Sequence, residues 1–299
     1  MFAWFNGNFV DEAQASVPLR DTGLLHGAGV FTTMRSYDGR VHGIDQHLKR
    51  MRDSCEALFI PLQYKDEILR AAASELLTRN DLADARLRLT VTRGTAQQDP
   101  LHGTHLQPNV FITAGPLEPY PAEFYERGLT VIVLDEEKLN PYDLQAGHKT
   151  LNYLSRLAAL REANRRGASE ALWFNVHNYL QSGSISNVFI VKDNAIITPP
   201  TNVELRDREV AAATKYPRSN VLPGVTRGAI LEIAEREGMR VRLESIDITQ
   251  LLDADEVFIS NSIMQVMPVC RIERRAIGGN RPGPVTRRIM AMYDAALRS

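Results

Sequence analysis

A two-domain α/β architecture is what this sequence predicts, and three observations carry it. Apolar runs of strand character alternate along the chain with segments of helical spacing. Residues 115–121, GPLEPYP, place three prolines in seven positions between two such sets, a composition that suits an extended connection. The 299 residues are 44% hydrophobic and 24% charged, enough for two cores of ordinary size. The expected division is 1–117 and 118–299.

In the first part, residues 2–5 read as a strand that turns at Asn6-Gly7. Residues 45–58 and 66–77 have helical spacing. Residues 86–92 alternate strictly, so Leu87, Leu89 and Val91 share one face and Arg86, Arg88, Thr90 and Thr92 the other. Residues 110–113 form another strand. In the second part, 129–134 is a strongly apolar strand, and 151–166 is a helix stopped by Gly167. Strands follow at 171–175 and 187–191, with a turn at Asp193-Asn194 into 195–198. A helix over 226–237 ends at Gly238, 255–260 is a strand, and 284–297 is the closing helix.

The net charge of -1 does not favour nucleic acid or an anionic membrane surface as a partner. No apolar run approaches the roughly 20 residues that a membrane helix needs. The opening, MFAWFNGNFVDEA, has no basic stretch leading into an apolar one, so no signal peptide is expected. Two cysteines, Cys55 and Cys270, make no disulfide framework and suit a reducing compartment. A cytoplasmic globular protein is the expectation, with no metal cluster.

Three segments offer chemistry. Six of the 35 Lys and Arg residues are lysines, and one of them, Lys149, lies in LQAGHKTLNYL beside a glycine. A partly desolvated lysine has a lowered pKa that suits imine formation, although most lysines are plain surface residues. YLQSGSISN, 179–187, brings serines, an asparagine and a glycine in front of a buried strand. It suits an anion or a ring heteroatom, or it is an ordinary polar loop. LPGVTR, 222–227, opens a helix whose first N–H groups and Thr226 hydroxyl could cup a phosphate, or Thr226 simply caps that helix.

Together and in this order, these segments resemble the fold-type IV pyridoxal-phosphate enzymes, the class IV aminotransferase family. That family includes branched-chain aminotransferases, D-amino acid aminotransferases and aminodeoxychorismate lyases. DTGLLHGAGVFTTMRSYDGRVHGIDQHLKRM resembles the family's first-domain signature, HKTLNYL its lysine segment, and SGSISNVFIV, LPGVTR and ISNSIMQVMPV its later cofactor segments. The resemblance implies a D-amino acid aminotransferase-like α/β (α+β) fold and pyridoxal 5'-phosphate as cofactor. It also implies a homodimer whose sites lie between domains and are closed by the partner. Lys149 would be the Schiff-base lysine. Arg50 would fork onto the phosphate, joined by the main chain at Val225, by Thr226, and by Ser262 with Asn261 beside it. Tyr153 would bind the ring hydroxyl, with Ser186 and Asn187 lining the ring. Phe31, Thr33 and Arg88 would face the substrate, Arg88 taking its carboxylate unless it makes a structural ion pair.

The sequence departs from its relatives at the ring-binding turn. Ser182 stands where they carry a glutamate that keeps the pyridine nitrogen protonated. A neutral hydroxyl holds that proton less firmly, which favours elimination over transamination. FTTMRSYDGRV and NSIMQVMPVC also look most like the aminodeoxychorismate lyases, and Gln98 stands where D-amino acid aminotransferases carry a substrate-binding arginine. Residues 201–221 are about a dozen more than the family needs; they cover a site or interface, or form an inert loop. The leading expectation is a lyase that converts 4-amino-4-deoxychorismate to 4-aminobenzoate and pyruvate. An aminotransferase for branched-chain or related amino acids is the alternative, and a cofactor-carrying protein of little activity the third.

Overall fold

A computed structural model describes residues 1–99, 103–212 and 218–298, with the side chains of 97–99, 103–104, 135–136 and 298 left out. The side chain of Gln98 and residues 213–217 of the long insertion thus lie outside the described residues. The chain forms two compact units, 1–118 with 148–153, and 119–147 with 154–299. The lysine segment therefore belongs to the first unit, not to the second as expected. The backbone explains this correction: Phe31 N–H donates to Lys149 C=O at 2.9 Å and Leu151 N–H to Gly29 C=O at 2.9 Å. The segment is thereby held as an extended edge of the first unit's sheet.

The first unit contains β1 (Phe2–Phe5), β2 (Asn8–Asp11), α1 (Thr22–His26), β3 (Gly29–Tyr37), β4 (Arg40–Val41), α2 (Ile44–Ala57) and α3 (Asp66–Arg79). It continues with β5 (Ala85–Thr92), the paired β6 (Thr95–Asp99) and β7 (Gly103–Gln107), and β8 (Val110–Pro116). Six strands form an antiparallel sheet in the order β2-β1-β8-β5-β3-β4. The turn at Asn6-Gly7 has φ of 47° and 94°, as a tight hairpin of opposite hand requires. Leu48, Met51, Leu69, Leu76 and Leu77 of the two long helices pack with Met34, Leu87, Leu89, Val91 and Ile112 of the sheet. Each such side chain contributes roughly 1.5–3 kcal/mol when fully buried. The register pairs Phe31 with Thr90 and Thr33 with Arg88. Alternation therefore puts these four on the face away from the helices.

The second unit begins with α4 (Ala122–Arg127), β9 (Leu129–Leu139), α5 (Leu154–Arg165), β10 (Glu170–Asn175), β11 (Leu180–Gly183), β12 (Asn187–Lys192) and β13 (Ala195–Thr198). After these come α6 (Arg208–Ala212), α7 (Val225–Arg236), β14 (Val241–Leu243), α8 (Ile248–Leu252), β15 (Glu256–Asn261), β16 (Gln265–Ile272), β17 (Arg275–Ala276) and α9 (Pro284–Arg298). The mixed sheet runs β11-β10-β9-β16-β15-β12-β13-β14, with β17 beside β16. Helix α5 starts later than the periodicity suggests because residues 149–151 are spent on pairing with β3. Phe189 and Phe258 stack at 4.6 Å and pack with Ile230, Ile233 and Ile289 of α7 and α9. Buried Glu256 accepts from Val285 N–H at 3.0 Å and Thr286 N–H at 2.7 Å, capping the start of α9. Among the described residues no helix is long and apolar enough to cross a membrane, and no cluster suited to a metal ion is present.

Candidate active site

In the first unit, four of the expected residues converge. Lys149 Nζ donates to Tyr153 Oη at 3.1 Å. It also lies 4.7 Å from the ring centre of Phe31 and 5.0 Å from that of Tyr153. The two rings meet edge-on at 5.3 Å. The Arg88 guanidinium sits 3.6 Å above the Phe31 ring, and its Nε donates to Thr90 Oγ1 at 3.2 Å. Burial, and then the charge of Arg86, lower its pKa. Among the described residues Arg88 pairs with no carboxylate. Thr33 is its cross-strand neighbour on the same face.

Arg50 is anchored by two residues to which the sequence assigned no role. Its Nη2 donates to Thr32 Oγ1 at 2.8 Å and lies 3.3 Å from His47 Nδ1. Thr32 Oγ1 is in turn 2.7 Å from His47 Nδ1, and Thr32 and His47 are both 1% exposed. A guanidinium only donates, so the proton order runs from Arg50 to Thr32 to His47 Nδ1, with the imidazole proton on Nε2. Desolvation pushes Arg50 down to about 10, with Tyr153 acting the other way. His47 was visible in the HLKR segment, whereas Thr32 carried no signal because it lies on the core face of β3.

His47 is held well below its usual 6.5, first by burial and then by Arg50, His42 and Lys149. Below pH 6.5 the unfolded chain takes up a proton there that the native imidazole does not. The stability contributed by a neutral His47 is therefore present above about 6.5 and lost as pH falls. The stability advantage of wild type over His47→Gln should narrow between pH 7.5 and 5 in denaturant titrations of the apoprotein. His42 and His148, also lowered by burial, add the same slope to both proteins. A pH-independent difference would show that the folded state protonates His47 as readily as the unfolded chain does.

The second unit holds the remaining candidates. Helix α7 starts at Val225 after Gly224, and no side chain caps it. A Cβ on Gly224 would lie 2.0 Å from Asn187 Oδ1, so a larger residue there would displace the Asn187 amide. Thr226 is 3% exposed in the first turn. Such a helix start offers N–H donors to an anion. Asn187 Nδ2 donates to Leu222 C=O at 3.0 Å, so its amide braces this turn. Asn261 is likewise committed: Nδ2 donates to Ile185 C=O, and Oδ1 accepts from Ile263 and Met264 N–H. Ser262 follows it at the tip of the β15–β16 turn.

The serine-rich turn is organised by Glu170, which the sequence reading missed. Its Oε1 accepts from Ala171 and Ser184 N–H at 2.9 Å each. Its Oε2 accepts from Ile185 N–H at 3.2 Å and from the Ser186 hydroxyl at 2.9 Å. Burial nevertheless holds its pKa above the usual value, against these four bonds. A lone acid opening the apolar strand EALWFN was the available sign. The Ser186 hydroxyl thus donates within the turn's own scaffold. Ser182 is 5% exposed, and its Oγ lies 3.4 Å from Arg156 Nη1. The insertion is pinned where it begins: Arg227 Nη1 and Nη2 reach Glu204 at 2.7 and 2.9 Å, and Nη2 also donates to Pro199 C=O. The described start of 201–221 is therefore clamped to the first turn of α7.

The family model for class IV amino-transferases matches residues 29–272. This chain belongs to the class IV aminotransferase family. A Methanocaldococcus jannaschii protein, provisionally named a branched-chain-amino-acid aminotransferase, is 33% identical over 98% of this chain and 95% of its own. The Escherichia coli branched-chain amino acid aminotransferase structure is 30% identical, covers 99% of this chain and 94% of its own, and superposes with a TM-score of 0.87. A Legionella pneumophila structure, provisionally titled a 4-amino-4-deoxychorismate lyase, covers 95% of this chain and 97% of its own with a TM-score of 0.81. At 20% identity it shares the fold alone. The fold is that of the fold-type IV enzymes, and the chain is a pyridoxal-phosphate enzyme. The start of α7, without a side-chain cap among the described residues, and the desolvated Arg50 are each suited to an anion such as a phosphate.

Proposed function

We propose that this chain is an aminotransferase acting on branched-chain or related amino acids, with Lys149 as its Schiff-base lysine. The comparisons favour this over the lyase suggested by local motifs. The observation that carries it is the Arg88 guanidinium, partly desolvated, without a carboxylate partner among the described residues and stacked on Phe31 beside Lys149. Such a group takes the carboxylate of an amino acid in a charge-assisted pair. The Phe31 ring, with Thr33 near it, offers an apolar wall for a side chain that carries no charge. Pyridoxal phosphate, when bound, supplies the carbonyl that accepts the amino group and a ring that withdraws electrons. Lys149 Nζ would take and return a proton at the substrate α-carbon, and Tyr153 Oη, 3.1 Å away, orients that amine and would hold the ring hydroxyl. Arg50 of the first unit, and Thr226, Ser262 and the main chain at Val225 of the second, are the groups that would hold the phosphate. Asn187, Asn261, Ser186 and Glu170 keep the turns that present those donors.

The lyase remains the second reading because Ser182, with Arg156 beside it, replaces the expected carboxylate. We also infer a cytoplasmic homodimer, which would bury more than ~2,000 Å² as obligate pairs do. Incubation with leucine, isoleucine or valine, D-amino acids, or 4-amino-4-deoxychorismate separates the readings when 2-oxo acid and pyruvate are followed independently. The expected result is 2-oxo acid from the branched-chain donors, with accumulation of the pyridoxamine form of the cofactor. Pyruvate from the enolpyruvyl substrate alone would establish the lyase. No product from any donor by a cofactor-loaded protein would leave a binding role.

A further inference from the structure

We propose that Arg156 and Ser182 together tend the cofactor's ring nitrogen in its unprotonated form. This rests on the reading that Ser182 faces that nitrogen. One guanidinium nitrogen, Nη1 of Arg156, donates to Gly183 C=O at 3.0 Å and Ser184 C=O at 3.1 Å, and lies 3.4 Å from Ser182 Oγ. Its carbon sits 5.7 Å from the ring centre of Trp173, whose Nε1 donates to Ser184 Oγ at 2.9 Å. Arg156 is thereby fastened to the ring-binding turn itself.

The direction of the bonds decides the outcome. Arginine has no acceptor, so in the longer, shared contact of Nη1 with Ser182 Oγ at 3.4 Å the hydroxyl oxygen is the acceptor. The hydroxyl proton is then left to donate, and among the described residues no acceptor takes it. A donor requires a lone pair opposite it, which an unprotonated pyridine nitrogen has and a pyridinium lacks. A pyridinium would also bring a second cation against the guanidinium across one hydroxyl in a buried turn. The neighbouring carboxylate cannot take the place of the missing one. Each Glu170 oxygen already accepts two bonds, from Ala171 and Ser184 N–H and from Ile185 N–H and the Ser186 hydroxyl. All four of its acceptor positions are used. The bound ring therefore withdraws electrons weakly. Reactions that must protonate the cofactor's own carbon suffer more from this than those in which a leaving group carries the electrons away.

The test is nuclear magnetic resonance of holoenzyme reconstituted with cofactor labelled with ¹⁵N in the ring, between pH 6 and 9 and without substrate. The wild type should give the shift of an unprotonated pyridine at every pH. Arg156→Lys should keep it, Arg156→Met should bring a protonation step into the range, and Ser182→Glu should give the protonated shift. A protonated nitrogen in the wild type would overturn the proposal, and so would an Arg156→Met spectrum identical to wild type. Failure of the labelled cofactor to bind is a separate result, which would instead overturn the cofactor reading on which this one rests.

Discussion

Lys149→Ala should abolish both the covalent attachment of cofactor and the reaction. Borohydride reduction of the wild type should fix the cofactor to Lys149, and the variant should give no adduct. The turnover rate should fall by about 10⁴-fold or more, since one side chain is both attachment point and proton carrier. The structure strengthens the choice among the lysines. Lys192 is tied to Asp253 and Asp255 at 2.9 and 3.6 Å, and those pairs raise its pKa further from the range of a free amine. Lys49 is paired to Asp53 at 2.7 Å on the surface. Lys149 instead has a phenol and two aromatic rings around its amine. A reduced adduct on Lys138 or Lys192, by peptide mapping, would refute the assignment.

Arg50→Ala should weaken cofactor binding by about 2–4 kcal/mol, roughly 30- to 1,000-fold in affinity, as expected for a charge-assisted pair. The loss should be measured by equilibrium dialysis on apoprotein whose unfolding is followed in parallel. Removing Arg50 also deprives Thr32 of its donor, so part of any change belongs to folding. Arg50→Lys separates charge from geometry: it keeps the cation but not the planar fork held against Thr32, and should recover only part of the affinity. Unchanged binding in Arg50→Ala, with the fold intact, would mean that the phosphate is held elsewhere.

Much of the site was legible in order along the chain, because its segments are short and each combines a turn with a functional donor. Lys149, Arg50, Tyr153, Arg88 and Phe31 belong to such segments, and four of them meet in the first unit. Residues that act by bracing others were not legible. Glu170 and Arg156 lie outside the serine-rich turn they organise, 16 and 26 residues from the Ser186 and Ser182 hydroxyls they reach. Arg227 reaches Glu204 across 23 residues. No periodicity or local motif encodes such pairings.

The strands and helices follow from local patterns: alternation at 86–92, the turns at Asn6-Gly7 and Asp193-Asn194, and the glycines that stop α5 and α7. These are properties of neighbouring residues, so the sequence alone determined them, along with the division into two units. Three matters were decided only by tertiary structure. The lysine segment belongs to the first unit because its backbone groups find partners on the open edge of β3, and unmet backbone donors are costly to bury. Arg88 pairs with no carboxylate among the described residues. The Ser182 hydroxyl is backed by Arg156 because α5 packs on β10, the strand that pairs with β11. Each depends on which groups distant in the chain share a few ångströms, and chain order does not specify that.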